Sequence, residues 1–452
     1  MLWSEREFYN FLHFTVNTFT DREWGEGDED PALFYPTDFD ADQIVETLKA
    51  AGSRGVILTC KHHDGFCLWP TKTTDHSIRN SPYKNGRGDV VKEISEAARR
   101  QQLPFGIYLS PWDRHQASYG TPQYLSIYRQ QMRELLTGYG PIFEIWHDGA
   151  NGGTGYYGGA REKRTIDKQH YYDWANTWEL ERTLQPGAVI FSDVGPDVRW
   201  VGNENGRAGE TCWATYSPRS LSGGPAAPGD VVEKEAVTGT RNGQFWMPAE
   251  CDVSIRPGWF WHVKENAQVK TPAELLELYY QSVGRGASLL LNVPPDRRGR
   301  IHEADAAALR EFGSQLRATF ASTLTTTARV AASNIRGQDI AYSPKNLLDG
   351  QHDTYWATDD SVRQAEVVLE WSRPVRFDLM RVREPIRLGQ RIDEFVVEVW
   401  QNGNWSQWGQ GTSIGSCRMV RSNLVETTKV RLRITQCAAC PALSEFALFR
   451  QA

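Results

Sequence analysis

The sequence predicts an α/β chain in which a (β/α)8-like, TIM-type barrel over residues 1–318 is followed by an all-β sandwich over 331–452. Three observations carry this expectation. From residue 41 to about 315, short apolar runs alternate with stretches of helical spacing, as a parallel α/β domain requires. No GxGxxG follows the first of those runs, so a closed barrel fits better than an open dinucleotide-binding sheet. Around residues 317–333 (RATFASTLTTTARVAAS) helical periodicity gives way to β-branched runs separated by turn residues.

The strand-like runs are Gly55 to Lys61, Phe105 to Leu109, Ile142 to Trp146, Val189 to Ser192 and Ala287 to Val293, each a short apolar segment of the kind buried on both faces. Helical spacing marks Ala41 to Ala51, Asp89 to Gln102, Pro122 to Thr137, Tyr171 to Leu184 and Thr271 to Val283. In the second of these, Val90, Val91, Ile94, Ala97 and Ala98 share one face. Beyond residue 331, Val367 to Trp371, Phe395 to Trp400 and Val430 to Ile434 read as strands between Gly, Asn, Asp and Pro. There is no internal repeat, and the nearest approach to low complexity is a loop from Ser222 to Gly229.

At 452 residues the chain exceeds one ordinary domain. A net charge of −6 and the lack of any basic run give no electrostatic reason to expect nucleic acid. Seventeen Trp within a 12% aromatic content suit a sugar-binding protein, because a pyranose offers apolar C–H faces to a ring, although most such rings fill cores. The seven cysteines form no dense disulfide framework. Cys437 and Cys440 make a lone CxxC, better read as a local disulfide or two free thiols than as a zinc site. No run is long and apolar enough to span a membrane. The start lacks a basic and then apolar signal region, which leaves a cytoplasmic protein or one whose leader has been removed; the expectation favours the second, secreted or periplasmic.

The chemistry concentrates at the strand ends. Ile142 to Gly149 delivers Asp148 to the carboxyl end of a buried strand, with Trp146 two residues earlier and glycines after it; that face is where barrel enzymes do chemistry. Lys61-His62-His63-Asp64 first suggests a metal, but adjacent residues on an extended strand point to opposite faces, so both histidines converge on one ion only through a bulge or a strand end.

Six segments in order, Phe11-Leu12-His13-Phe14, Glu23-Trp24, Lys61 to Phe66, Gly106 to Ser110, Glu144 to Gly149 and Leu290 to Pro295, together resemble glycoside hydrolase family 29, the α-L-fucosidases. The resemblance covers essentially the whole first domain. It implies a retaining exo-enzyme in which Asp148 is the nucleophile and a second carboxyl group, about 5 to 5.5 Å away, protonates the leaving oxygen. It further implies that His13, His62 and His63 bond fucose hydroxyls, that Glu23 and Trp24 contact the sugar, and that Tyr108 and Trp146 wall the pocket. Arg199 to Glu204 resembles the acid/base segment of the subgroup that cleaves α-1,3 and α-1,4 branches, which points to Glu204, with Glu210 as the competitor. An acid must hold its proton, and Trp200 and Trp213 are candidates for the desolvation that raises its pKa. Trp246 to Phe260 is similar to the same subgroup and offers Glu250, Asp252 and Trp259 to the leaving-group sugar, the alternative being an ion pair of Arg256 with one of the acids. The rival readings are a fucosidase of broad or α-1,2/1,6 preference, a non-catalytic fucose-binding barrel, and metal-assisted hydrolysis at the His62 cluster.

In the second domain Asn346 to Gly350, Asp353 to Thr358 and Ser444-Glu445-Phe446 resemble the discoidin-like carbohydrate-binding module family 32. That resemblance suggests a structural calcium held by Asp349, Asp353 and Glu445, since hard oxygen ligands suit the ion. Catalysis itself is expected to need no cofactor. The expected partners are fucosylated oligosaccharides or glycoproteins.

Overall fold

In a computed structural model that describes residues 3–452, eight parallel strands close into a barrel in sequence order. They are β1 (Phe8–Leu12), β2 (Val56–Lys61), β3 (Phe105–Leu109), β4 (Ile142–Trp146), β5 (Val189–Ser192), β6 (Val198–Trp200), β7 (Ala249–Ser254) and β8 (Ser288–Asn292). Helices α1 (Ala41–Ala50), α2 (Val90–Arg100), α3 (Pro122–Gly138), α4 (Trp174–Leu184), α5 (Pro272–Ser282) and α6 (Glu303–Phe320) cover the outside. Local chemistry starts them: the carboxylates of Asp40 and Asp89 cap α1 and α2, and Thr271 with Glu274 forms a capping box on α5. The predicted face of α2, Val90, Val91, Ile94, Ala97 and Ala98, is buried against the barrel.

Three strands escaped the sequence reading. β6 has three residues, β7 (AECDVS) carries two carboxyl groups where an apolar run is looked for, and β1 holds Asn10 in its centre. Folding supplies partners to the polar side chains in those strands: Glu250 accepts from the Trp146 indole at 2.8 Å, Asp252 from the Trp200 indole at 2.7 Å, and Asn10 Nδ2 donates to Leu291 O at 2.9 Å. No crossover helix of full length separates β5 from β6 or β6 from β7, so the long loop before β7 is free to bring Glu204 over the barrel mouth.

After α6 the chain enters an antiparallel sheet built from β9 (Arg329–Ala332), β10 (Ala365–Arg383), β11 (Ile392–Gln401), β12 (Asn404–Gly411), β13 (Arg418–Cys437) and β14 (Glu445–Phe449). The three predicted runs fall inside β10, β11 and β13. The ladder between β10 and β13 shifts register between Glu370 and Val375, and β14 pairs with the second half of β10, Leu379 to Arg383. An apolar core centred on Trp356, Val367, Leu369, Phe395 and Leu432 fills it. The sheet joins the barrel through charge pairs: the Arg383 guanidinium lies 2.5 Å from Glu7 and also, with Arg381, holds Glu445 at 2.9 Å. Among the described residues, no helix is long and apolar enough to cross a membrane.

The calcium expectation does not fit these side chains. Glu445 is the acceptor of the two arginines just named, Asp353 pairs with Arg387 at 3.0 Å, and the Asp349 carboxylate closes its own turn on Gln351 N and Thr354 Oγ1. The three carboxylates thus serve three different partners, and among the described residues no group of three His, Cys, Asp or Glu is arranged to hold a metal. All seven cysteines are free thiols.

Candidate active site

The carboxyl ends of the strands surround a cavity of about 110 Å³ lined by Phe11, His13, Trp24, His62, His63, Trp146, Asp148, Ala150, Glu204, Asp252 and Trp259. A wider cleft of about 540 Å³ continues outward from Glu204 and Trp259 past Asn205, Arg207 and Lys270.

Asp148 follows β4 by two residues. Its Oδ2 accepts from the Tyr108 hydroxyl at 2.8 Å and its Oδ1 from Ala150 N at 2.7 Å, while 24% of the side chain stays open to the cavity. Burial lifts its carboxyl above the ordinary value, and both hydrogen bonds work against that rise because they favour the ionised form. Burial also pushes the Tyr108 phenol far up, so it remains a donor. His147 points the other way, outside the barrel, where its ring bonds Tyr128 at 2.9 Å and Glu181 at 3.0 Å. That alternation is the strand period itself.

The paired histidines converge because β2 ends at Lys61. The Lys61 ammonium turns away to a fully buried pair with Asp113 at 3.0 Å, and the chain then bends through Gly65 at φ +83°, where a β-carbon would run into the Asp113 carboxylate. His62 and His63 come to lie with ring centroids 4.0 Å apart. Ser110 Oγ donates to Trp112 O at 2.8 Å, so it accepts from His63 Nδ1 at 2.8 Å and leaves the Nε2 lone pair facing the cavity, 3.7 Å from Asp148. Asn292 repeats the device: its amide donates to Ser254 and to Trp259 O, its Oδ1 accepts from His13 Nδ1 at 2.9 Å, and His13 Nε2 is left bare. Burial brings His13 and His63 down to about 3 and His62 well below its usual value, so all three are neutral rings. Neutral imidazoles with a free nitrogen accept from sugar hydroxyls and place no charge beside Asp148.

Glu204 stands at the exposed rim. Trp259 Nε1 donates to its Oε2 at 3.3 Å, and partial burial raises its carboxyl above the ordinary value against that bond, with the Asp148 charge adding to the rise. The ring that touches it is therefore Trp259; the Trp200 indole donates instead to Asp252 at 2.7 Å. Trp213 does not line the cavity, and Arg241 lies over its ring. Glu210 is elsewhere, held by Arg285 at 2.9 Å and by Arg418 of the second sheet, so it joins the two parts of the chain and does not meet Asp148.

Two expected sugar contacts are placed differently. The Glu23 carboxylate accepts from the backbone of Trp259 at 2.8 Å and of Phe260 at 3.3 Å and from His262 at 2.6 Å; its work is to hold the loop that carries Trp259, while the neighbouring Trp24 lines the cavity edge-on to His63 at 5.1 Å. Glu250 is not on the leaving-group side. It is fully buried inside the barrel, beneath the cavity, where it accepts from the Trp146 indole at 2.8 Å. Asp252, two residues along the same strand, does line the cavity, and burial pushes its carboxyl well up. Arg256 pairs with Asp305 at 2.5 Å, not with either acid of its own segment. Asn292 and Ser110 were missed as site residues, although both stand at strand ends inside segments the sequence singles out, which was the available signal.

A family profile described as Alpha-L-fucosidase matches residues 3–319. An Arabidopsis thaliana protein named Alpha-L-fucosidase 1 is 44% identical over 453 residues, covering 99% of this chain and 86% of its own length. The solved structure of a glycoside hydrolase 29 family member from an unknown rumen bacterium superimposes with a TM-score of 0.87 at 39% identity, over 100% of this chain and 76% of that one. A Ruminococcus gnavus family-29 fucosidase solved in complex with fucose superimposes with a TM-score of 0.88 at 33% identity, over 100% of this chain and 94% of that one.

Proposed function

The chain belongs to the α-L-fucosidase family, glycoside hydrolase 29, and from that premise we propose that it is a retaining exo-α-L-fucosidase whose nucleophile is Asp148 and whose acid/base is Glu204. One observation carries the assignment: Asp148 has its charge bonded from two sides inside the cavity, while Glu204 stands at the exposed rim where a leaving group must depart. In the first half-reaction Asp148 attacks the anomeric carbon and Glu204 gives its proton to the departing oxygen. In the second Glu204 takes a proton from water, which attacks the same carbon and frees Asp148. His13, His62 and His63 receive the hydroxyls, and Trp24, Trp146 and Trp259 bound the ring and the 6-methyl group.

The proposed substrates are glycans carrying terminal α-1,3- or α-1,4-linked fucose. The room beyond Glu204 and Trp259 supports a branched leaving group on that side, with Asp252 and Trp259 as its first contacts. A secreted or periplasmic location is proposed with it, on the ground that such glycans lie outside the cytoplasm. The test is release of fucose from a Lewis a or Lewis x trisaccharide and from 2'-fucosyllactose, with Asp148→Ala alongside. Faster release from the trisaccharides and none from Asp148→Ala until azide is added are expected. Preference for 2'-fucosyllactose overturns the linkage reading, and ordinary turnover by Asp148→Ala overturns the mechanism.

A further inference from the structure

Beneath the cavity lies a pair of carboxyl groups that the proposed chemistry leaves unused. Along β4 the residues Glu144, Trp146 and Asp148 face the barrel interior in succession, and Glu250 on β7 meets the first of them. Both glutamates are fully buried. Glu250 accepts from the Trp146 indole at 2.8 Å and from the Tyr9 hydroxyl, which also lies 3.2 Å from Ser288 Oγ. Glu144 Oε2 accepts from the Trp3 indole at 2.9 Å, yet its Oε1 is buried with no partner. A bare carboxylate oxygen there is costly, and two charges side by side are more so; a proton shared between the two carboxyls removes both costs.

We propose that Glu144 and Glu250 share one proton, lying between Glu250 and the otherwise bare Glu144 Oε1, and that this pair is a positioning unit fixing Trp146 as the cavity wall next to Asp148. The interior packing agrees with such a role. The Trp146 ring is stacked on Phe191 at 4.4 Å and meets Phe11 edge-on at 4.9 Å, so its only polar atom is the one Glu250 holds. Burial raises both carboxyls, that of Glu144 to about 7 and that of Glu250 far up, as a pair competing for one proton demands. The groups that face the pair are Arg6, whose guanidinium covers Phe143 at 4.7 Å, the phenol of Tyr9, itself pushed far up, and Asp252 further along β7. Above about pH 7 the pair keeps one proton and one charge, because Glu250 releases its own only far higher; below that value Glu144 takes up a second proton and the pair is neutral.

The proposal rests on the reading of the cavity as the fucose site, and the tests separate the two. Glu144→Gln puts an amide N–H where the proton sits and keeps it at every pH. The inhibition constant of free fucose is expected to match wild type above about pH 7 and to hold steady in the variant as pH falls below it, while that of wild type shifts roughly twofold or more as the second proton binds. Glu250→Met, which leaves the Trp146 N–H unpaired, is expected to raise KM roughly tenfold with kcat changed less. In infrared difference spectra above about pH 7, where the pair keeps one proton, wild type is expected to show the carbonyl stretch of a protonated carboxyl that Glu144→Gln lacks, whatever the cavity binds. Absence of that band, or identical pH profiles in the two proteins, overturns the shared proton. An unchanged KM in a folded Glu250→Met overturns the positioning role. Failure of fucose to inhibit wild type overturns the reading of the cavity instead.

Discussion

Tyr108→Phe removes one atom from the site, the hydroxyl that donates to Asp148 Oδ2 at 2.8 Å, and leaves the buried ring in place. The remaining support for the Asp148 charge is the Ala150 N–H at 2.7 Å; His63 Nε2, at 3.7 Å, offers a lone pair and cannot take over. A hydrogen bond to an ionised group contributes roughly 1.5–3 kcal/mol, and each pKa unit corresponds to about 1.4 kcal/mol. The Asp148 carboxyl, already raised by burial, should therefore rise by roughly one to two further units. The form that attacks is the ionised one, so the acidic limb of kcat/KM must move to higher pH by that amount, while the alkaline limb, set by loss of the Glu204 proton, stays. The assay is a pH profile of kcat/KM with a fucosylated oligosaccharide on wild type and variant, with thermal melts to show that both are folded at each pH. An acidic limb at the same pH in both would refute the claim that the Tyr108 bond sets the charge on Asp148.

Glu204→Gln is expected to cut turnover of natural fucosides by roughly a hundredfold or more, and to cut that of substrates with good leaving groups far less, because only the former need the proton. Glu210→Gln should leave turnover nearly intact and lower the melting temperature, since its carboxylate serves Arg285 and Arg418; equal losses in the two variants would reverse the assignment. The histidines make the protein sensitive to acid: His13 and His63 are held near 3 when folded and return to their ordinary value when unfolded, so their contribution is complete above about pH 6.5 and declines as pH falls towards 3. Melting temperatures that stay level across that window would contradict the neutral-ring description. Glu445→Gln strips the charge that holds Arg381 and Arg383 and should destabilise the chain by about 3–5 kcal/mol in denaturant titrations; a loss under 1 kcal/mol would show that this junction contributes little.

How far the chain is legible without its structure can be judged residue by residue. The α2 stripe and the apolar runs of β2 to β5 and β8 are readable because helices cover the strands and both faces are dry, so local pattern and tertiary position agree. β7 is unreadable for the opposite reason: Glu250 and Asp252 face inward, and inward acids look like a loop until the Trp146 and Trp200 indoles are seen opposite them. Glu23 was assigned to the sugar by resemblance of a segment, but which way a carboxylate turns depends on the loop it faces, here the backbone of Trp259 and Phe260 more than two hundred positions away in the chain.

By itself, then, the sequence determined the barrel and the strand end that presents Asp148, since these follow from periodicity and from residue types a few positions apart. The tertiary structure decided that Glu204 and not Glu210 shares a cavity with Asp148, why three clustered histidines are neutral, and where Glu250 goes. Those outcomes are set by desolvation and by partners such as Trp259, Asn292 and Glu144 that folding alone brings within hydrogen-bonding distance.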